Sequence, residues 1–404
     1  MDQHQASPKK IKRDSELESL LSSQHIVDIE KMAVGGEGVA RLQFKDKSVV
    51  IFVAMAAPNE KAKIEITAVE KNYLKAKIVE LIAPSQDRRP PPCVFFENCG
   101  GCNWQHLNEK AQLIQKELIL KDLLKKFVPH LSFQLEPSVQ GSQVFHYRNR
   151  IQLKQFKDRL GYFQKSSHEL VEIDSCLIAE EAISKEIASL KENLKSAAEL
   201  TKYELKINQN NQFEYYKIGD RGEGLSFSQV NNEINSLLVH KTADLIQQIN
   251  PSRMSELYSG SGNFTFTLLK KIPELQIESV ELNSQLTAYA HQKRLAEKLQ
   301  KRLTLFTSDC ESFVARRALA NDGVLLDPPR SGCDESVIKK IAHQNIKNIF
   351  YISCQPAALA RDLKILSQVN PHYRIRHLQI FDMFPQTDHF ETLVWLSKTD
   401  TELS

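Results

Sequence analysis

A thiol stands at the end of an apolar run. Ile349-Phe350-Tyr351-Ile352 is followed by Ser353-Cys354-Gln355-Pro356. The run reads as a buried strand, and its carboxyl end, turned by a proline, is where open α/β sheets hold their ligands. A thiolate in such a place attacks soft electrophilic carbons. A lone cysteine of this kind is more often a buried core residue, and the motifs around Cys354 shift the reading to a nucleophile. Glu256-Leu257-Tyr258-Ser259-Gly260-Ser261-Gly262-Asn263-Phe264 reads as a strand, a glycine turn and the start of a helix. Glycines let a backbone approach a ligand closely, and the helix start offers free N–H groups. Glu281 ends the next strand, where a carboxylate suits a ribose diol. This spacing fits an adenosine-bearing cofactor. The full G-x-G-x-x-G pattern is missing, which favours S-adenosylmethionine over a dinucleotide.

Two further groups carry chemistry. Asp327-Pro328-Pro329-Arg330 closes another apolar strand. Its prolines make a rigid turn that fixes the aspartate at the sheet edge, and Arg330 suits a phosphate. Cys93, Cys99 and Cys102 form a C-x5-C-x2-C loop, with Cys176 as a distant fourth thiol. That set suits an iron–sulfur cluster. Zinc, which prefers two close pairs, and no metal at all stay open as alternatives. Cys310 and Cys333 have no such partners and read as structural.

The elements that must position these groups follow from length and pattern. A chain of 404 residues with 41% apolar content is expected to form two or three domains. No apolar run approaches the roughly 20 residues of a membrane span. The polar segment Met1 to Ser23, with Lys9-Lys10-Ile11-Lys12-Arg13, lacks the apolar core of a secretory signal and reads as a tail. Seven cysteines without secretion features point to metal or catalysis rather than disulfides, and so to the cytoplasm. A net charge of +3 permits a nucleic-acid partner without requiring one. Residues 24–84 alternate as short strands around Gly35-Gly36-Glu37-Gly38, which predicts a small barrel rich in lysine. Arg88-Arg89-Pro90-Pro91-Pro92 reads as a stiff linker. Residues 85–225 read as α+β, with basic and aromatic residues interleaved from His146 to Arg159. From 226 to 404 helices and strands alternate, which predicts a doubly wound, mostly parallel sheet. His377–Phe381 and Phe390–Leu396 are expected as an antiparallel pair at its edge.

Taken together, these motifs resemble the RNA uracil-C5 methyltransferases, which make 5-methyluridine in 23S ribosomal RNA and in tRNA. The resemblance runs over nearly the whole chain from about residue 24. It implies a multidomain protein: an OB-like TRAM barrel over 24–84, a central α+β iron–sulfur domain over 85–225, and a Rossmann-like S-adenosylmethionine-dependent methyltransferase domain over 226–404. Cys93, Cys99, Cys102 and Cys176 match the ligands of the family's 4Fe–4S cluster. Gln229, in Phe227-Ser228-Gln229-Val230-Asn231, together with Tyr258, Asn263, Glu281 and Asp327, falls on its cofactor contacts, and Asp309 on the adenine-side position. Ser353-Cys354-Gln355-Pro356-Ala357-Ala358-Leu359-Ala360-Arg361-Asp362 matches the nucleophile motif, and His389-Phe390-Glu391 the segment bearing the general base. Glu256, Ser259 and Gln355 stand where the family usually has Asp, often Cys and commonly Asn.

The chemistry so implied has Cys354 adding to uracil C6 and Glu391 removing the C5 proton, with His389 orienting Glu391 or the RNA, or serving structure only. The expected partner is RNA, reached by a monomer away from membranes. 23S rRNA is favoured because bacterial tRNA enzymes of the family mostly lack the barrel and cluster. The T-loop uridine of tRNA is the alternative substrate. Outside this class stand a redox or radical iron–sulfur enzyme, which four available thiols disfavour, and a non-catalytic RNA-binding protein.

Overall fold

The computed structural model describes residues 16–165, 167–208, 210–219 and 229–398. The Lys9–Arg13 cluster, Phe227 and Ser228, and the expected boundary at 225/226 lie outside them. The chain separates into two compact units. One runs to Phe96 and takes up Cys102–Gln115; the other comprises Glu97–Gly101 and the chain from Lys116 onward.

The first unit is built on six strands: β1 (Gln24–Asp28), β2 (Lys31–Met32), β3 (Gly38–Phe44), β4 (Lys47–Ala54), β5 (Lys61–Val69) and β6 (Tyr73–Ala83). Their order is β1-β5-β6-β4-β3-β2, antiparallel except for β4 beside β6. Period-two alternation explains the strands: Ala62, Ile64 and Ile66 of β5 are buried, while Lys61, Lys63 and Glu65 are not. A turn of 3-10 helix at Leu17–Leu20 buries Leu17 and Leu20 in the same core, so the end of the expected tail is packed. Its two leucines supply the apolar contact that the polar residues around them hide. Gly38 permits the close crossing of β3, since a Cβ there would stand 2.8 Å from that of Ala56. The arginine-proline segment is fastened to this unit. Arg88 pairs with buried Glu60 (2.9 Å) and Arg89 with Glu109 (2.6 Å).

Helix α1 (Glu109–Phe127) leads into the second unit. There β7 (Arg150–Lys157), β8 (Arg159–Phe163), β9 (Leu170–Glu172), α2 (Glu181–Asn193), β10 (Ala197–Ile207) and β11 (Phe213–Lys217) follow. The strands form an antiparallel sheet ordered β11-β10-β7-β8-β9. The sequence pattern predicts further strands over 205–218, and β10 begins eight residues before that range. Its first part is polar and largely exposed, so neither alternation nor an apolar run marks it.

The remainder alternates helix and strand: α3 (Asn232–Ile249), β12 (Arg253–Leu257), α4 (Thr265–Lys271), β13 (Gln276–Glu281), α5 (Ser284–Ala296), β14 (Leu303–Thr307), α6 (Cys310–Arg316), β15 (Gly323–Leu326), α7 (Glu335–His343), β16 (Asn348–Ser353), α8 (Pro356–Val369), β17 (Tyr373–Phe381) and β18 (Glu391–Lys398). The sheet order is β14-β13-β12-β15-β16-β18-β17. The first five strands are parallel, and β18 runs antiparallel to both neighbours. All four residues of β15 are buried, as a strand covered by helices on both faces requires. Strand order reverses between β12 and β15, the switch point at which such sheets open a crevice. Among the described residues no helix is long and apolar enough to cross a membrane.

Candidate active site

The crevice lies at the carboxyl ends of β12, β13, β15 and β16. After β12 the chain turns sharply: Tyr258, Gly260 and Gly262 take φ of 62°, 57° and 89°. At Gly262 a side chain is excluded twice over, by the left-handed φ and by a Cβ position 2.5 Å from the Phe266 ring. Glu281 holds this turn. Its carboxylate accepts the N–H of Gly260 (2.9 Å) and that of Asn283 (2.7 Å). Asn263 pairs its side-chain amide with that of Asn235 on α3 (2.9 and 3.1 Å). Tyr258 directs its phenol toward the Cys333 and Cys310 thiols, and burial raises that phenol well above its usual range. Asp309 caps α6 through the Ser312 N–H (2.7 Å), which holds its carboxyl below the usual range. Gln229 is half-buried and is fastened through its carbonyl, which accepts the Asn149 amide at 3.0 Å.

Cys354 and Glu391 come together through strand register. Ser353 of β16 pairs with Thr392 of β18. One step beyond, an antiparallel ladder sets the next residues, Cys354 and Glu391, side by side. Only because β18 runs backwards does its first residue share the edge where the parallel strands end. Electrostatics agree with this placement. Burial, then the Glu391 and Asp327 carboxyls, push the Cys354 thiol up to about 12, against Arg330. Burial and Asp327 push Glu391 well above the carboxylate range, again against Arg330. Asp327 itself is raised by burial to about 7. Glu256, beneath the turn, rises to about 8 through burial, which the Thr265 hydroxyl bond opposes and Asp327 reinforces. The Arg330 guanidinium thus opposes the upward shift of both the thiol and Glu391. The second oxygen of Glu391 has no hydrogen-bond partner among the described residues. His389 packs its ring edge-on against Phe384 (6.2 Å), and burial lowers its pKa.

The loop after β15 is clamped from below. Asp362 on α8 is buried and accepts the Cys333 N–H (2.8 Å) and the Tyr351 hydroxyl (2.6 Å), while pairing with Arg361 (2.6 Å). Asp362 ends the nucleophile motif, but sequence reading gave it no role, although the signal was present: a carboxylate on the apolar stripe of Leu359, Leu363 and Leu366. Asn235 and Lys116 were also missed. Lys116 lies on the buried face of α1 with Leu120 and Leu124, where a solvated lysine has no place.

None of the four expected metal ligands is in a disulfide. Cys99 and Cys176 both face Tyr162. Cys99 Sγ accepts the Gly101 N–H at 3.4 Å, and the backbone N–H groups of Ala179 and Ile178 and the Tyr162 hydroxyl donate to Cys176, whose thiol burial pushes up. Donation of N–H groups to sulfur is the setting a thiolate ligand needs, so these two fit a metal-bound role. Cys93 donates its N–H to Gln105 (3.1 Å). Among the described residues no group of three or more His, Cys, Asp or Glu side chains is arranged to hold a metal ion.

A sheet of this order, with a glycine turn after its first strand and an acidic residue ending its second, defines a Rossmann-like methyltransferase. The Pyrococcus abyssi tRNA (uracil-54, C5)-methyltransferase, solved with S-adenosyl-L-homocysteine, shares the fold at a TM-score of 0.68 and 22% identity, over 92% of this chain and 99% of that one. The family model for tRNA (Uracil-5-)-methyltransferase matches residues 202–399, and that for the TRAM domain matches 26–79. An uncharacterized RNA methyltransferase of Bdellovibrio bacteriovorus is 40% identical over 384 residues, 93% of this chain and 96% of that protein. The 23S rRNA (uracil(1939)-C(5))-methyltransferase RlmD of Shewanella woodyi is 29% identical, over 92% and 96%. The chain belongs to the RNA uracil-C5 methyltransferase family and carries its TRAM domain.

Proposed function

We propose that the protein methylates C5 of a uridine in 23S rRNA through a covalent adduct at Cys354. The observation that carries this reading is the meeting of Cys354 and Glu391 at paired strand ends, beside the turn held by Glu281. Uracil C5 is a poor nucleophile. Attack of the Cys354 thiolate on C6 forms a C–S bond and moves the ring electrons to C5 and O4 as an enolate. S-adenosylmethionine, when bound, supplies a methyl group on a sulfonium that the enolate carbon can displace. Tyr258, Asn263, Glu281, Asp309, Asp327 and Gln229 are the residues we assign to holding it. Glu391 then takes the C5 proton, the C5–H electrons restore the C5–C6 double bond, and the C–S bond breaks to return the thiolate. Without that base the methylated adduct cannot collapse.

The electrostatics suit a cationic cofactor. In the free protein burial raises both the thiol and Glu391, which disfavours their charged forms. A sulfonium among these groups favours their charged forms. Flipping the target base out of folded RNA costs a few kcal/mol, which we assign to phosphate and stacking contacts of the residues 24–84 and 85–225, the division we propose for the RNA-binding parts, with 226–404 for catalysis in a cytoplasmic monomer.

On the strength of their spacing and family match, Cys93, Cys99, Cys102 and Cys176 are proposed as ligands of a 4Fe–4S cluster. Methyl transfer moves no electrons, so its role would be to brace. Iron absent from anaerobically purified protein of full activity would remove the cluster from the account.

The second substrate reading, the T-loop uridine of tRNA, is favoured by the likeness to the Pyrococcus fold. Incubation with unmodified 23S rRNA and tRNA, followed by nucleoside mass spectrometry, separates the two. We expect 5-methyluridine in 23S rRNA alone and none with Cys354→Ala. Product in tRNA alone reverses the substrate assignment, and none in either refutes the activity.

A further inference from the structure

The segment from Asp382 to Phe390 carries the chain from β17 into Glu391, and besides the local turns at Phe384–Thr387 and Thr387–His389 it is held by the central part of the second unit. Lys116 on α1 is fully buried and reaches Asp382 Oδ1 at 2.6 Å and the Phe384 carbonyl at 3.2 Å. Asp382 is equally buried. The Tyr147 hydroxyl donates to the Pro385 carbonyl (3.1 Å), and the Gln386 amide donates to the Val144 carbonyl (3.3 Å). Just upstream, the Asp382 N–H donates to the Val139 carbonyl at 2.8 Å. Four of the five residues from 382 to 386 (all but 383) are thus tied to residues 116, 144 and 147, more than 230 positions away in the chain.

A buried ion pair is weak evidence of stability, because desolvating two charges offsets most of their attraction. Here the pair is also incomplete, since Asp382 Oδ2 has no hydrogen-bond partner among the described residues. A pair kept for stability alone would be expected to satisfy both oxygens. Its consequence is geometric: a charged, directional contact fixes one register of the segment, where apolar packing would tolerate several. Glu391 needs that precision, since its carboxylate must lie within hydrogen-bond reach of the C5 proton.

We infer that Lys116 and Asp382 form a latch that sets the position of Glu391, making both positioning residues for proton removal. The inference rests on Glu391 being the base. It follows that loosening the latch should slow the last chemical step and leave the earlier ones running, so that the methylated protein–RNA adduct accumulates.

The test compares the wild type, Glu391→Gln and the double variant Lys116→Met/Asp382→Leu, which removes both charges and leaves neither orphaned in the core. Each is incubated with S-adenosylmethionine and end-labelled 23S rRNA. Turnover, the adduct surviving a denaturing gel, and the thermal melt are recorded. The latch predicts a double variant that melts cooperatively, turns over more slowly by on the order of 100-fold, as small misplacements of reacting groups do, and accumulates adduct as Glu391→Gln does. Normal turnover, or slow turnover with no adduct, overturns it. So does failure of the double variant to fold, because the pair would then be supporting the fold. If Glu391→Gln itself forms no adduct, the assignment of the base fails first, whatever the double variant does.

Discussion

Asp327, which we propose as a cofactor contact, is the residue whose ionisation would most directly report on S-adenosylmethionine. Burial raises its carboxyl to about 7, so the free protein holds it partly protonated at neutral pH. A cation beside it favours the carboxylate, and binding should therefore expel a proton. The sign follows. Affinity for S-adenosylmethionine should rise as pH increases from about 6 to 8, through the raised pKa, and level off above it. Calorimetry in buffers of different ionisation enthalpy checks this by counting protons released. S-adenosylhomocysteine, which lacks the sulfonium, should release fewer, and Asp327→Asn should flatten the pH dependence. At this scale the sequence was informative wherever a residue's chemistry was at odds with its place. Cys354 after a buried strand and Glu281 at a strand end were legible. The burial that moves Glu256 to about 8, against the Thr265 hydroxyl bond, was not, because it arises only in the folded packing around β12.

Elements bring these residues together. The loop after β15 carries Asp327 and Arg330, and its shape depends on Asp362 of α8, which binds the Cys333 N–H and the Tyr351 hydroxyl. Replacing Asp362 with Ala leaves those donors and Arg361 without their acceptor and should cost about 3–5 kcal/mol. Thermal unfolding would register that loss, and cofactor affinity should weaken with it as the loop loosens. An unchanged melting temperature would show that the loop stands without the clamp. One long helix and several strands of this domain were legible: the sequence pattern predicts a helix over 232–249 and strands over 276–281, 303–307 and 323–326, where α3, β13, β14 and β15 run. Helices α6, α7 and α8 were not singled out. Two of them are short, seven and nine residues, and the third begins at Pro356, which reads as a turn although proline is well suited to a first helical position.

Across the whole molecule, the arrangement of strands does what no local pattern specifies. Glu391 lies 37 positions after Cys354 in the sequence, and only the reversed direction of β18 returns it to the nucleophile's edge. The expectation of an antiparallel edge pair at the chain's end contained this meeting, while the register that sets Ser353 against Thr392 came from the fold. The ties on residues 382–386 were invisible in sequence for the same reason, since they join positions far apart through packing. The central claim is substitution at uracil C5 by way of a Cys354 adduct, and it has a direct test. 23S rRNA transcribed with uridine tritiated at C5 is incubated with the protein and S-adenosylmethionine, and tritium released to water is counted against methyl groups incorporated. The account predicts one tritium released per methyl transferred, none without S-adenosylmethionine and none with Cys354→Ala. Methyl incorporation without tritium release, or release that persists in Cys354→Ala, would contradict it.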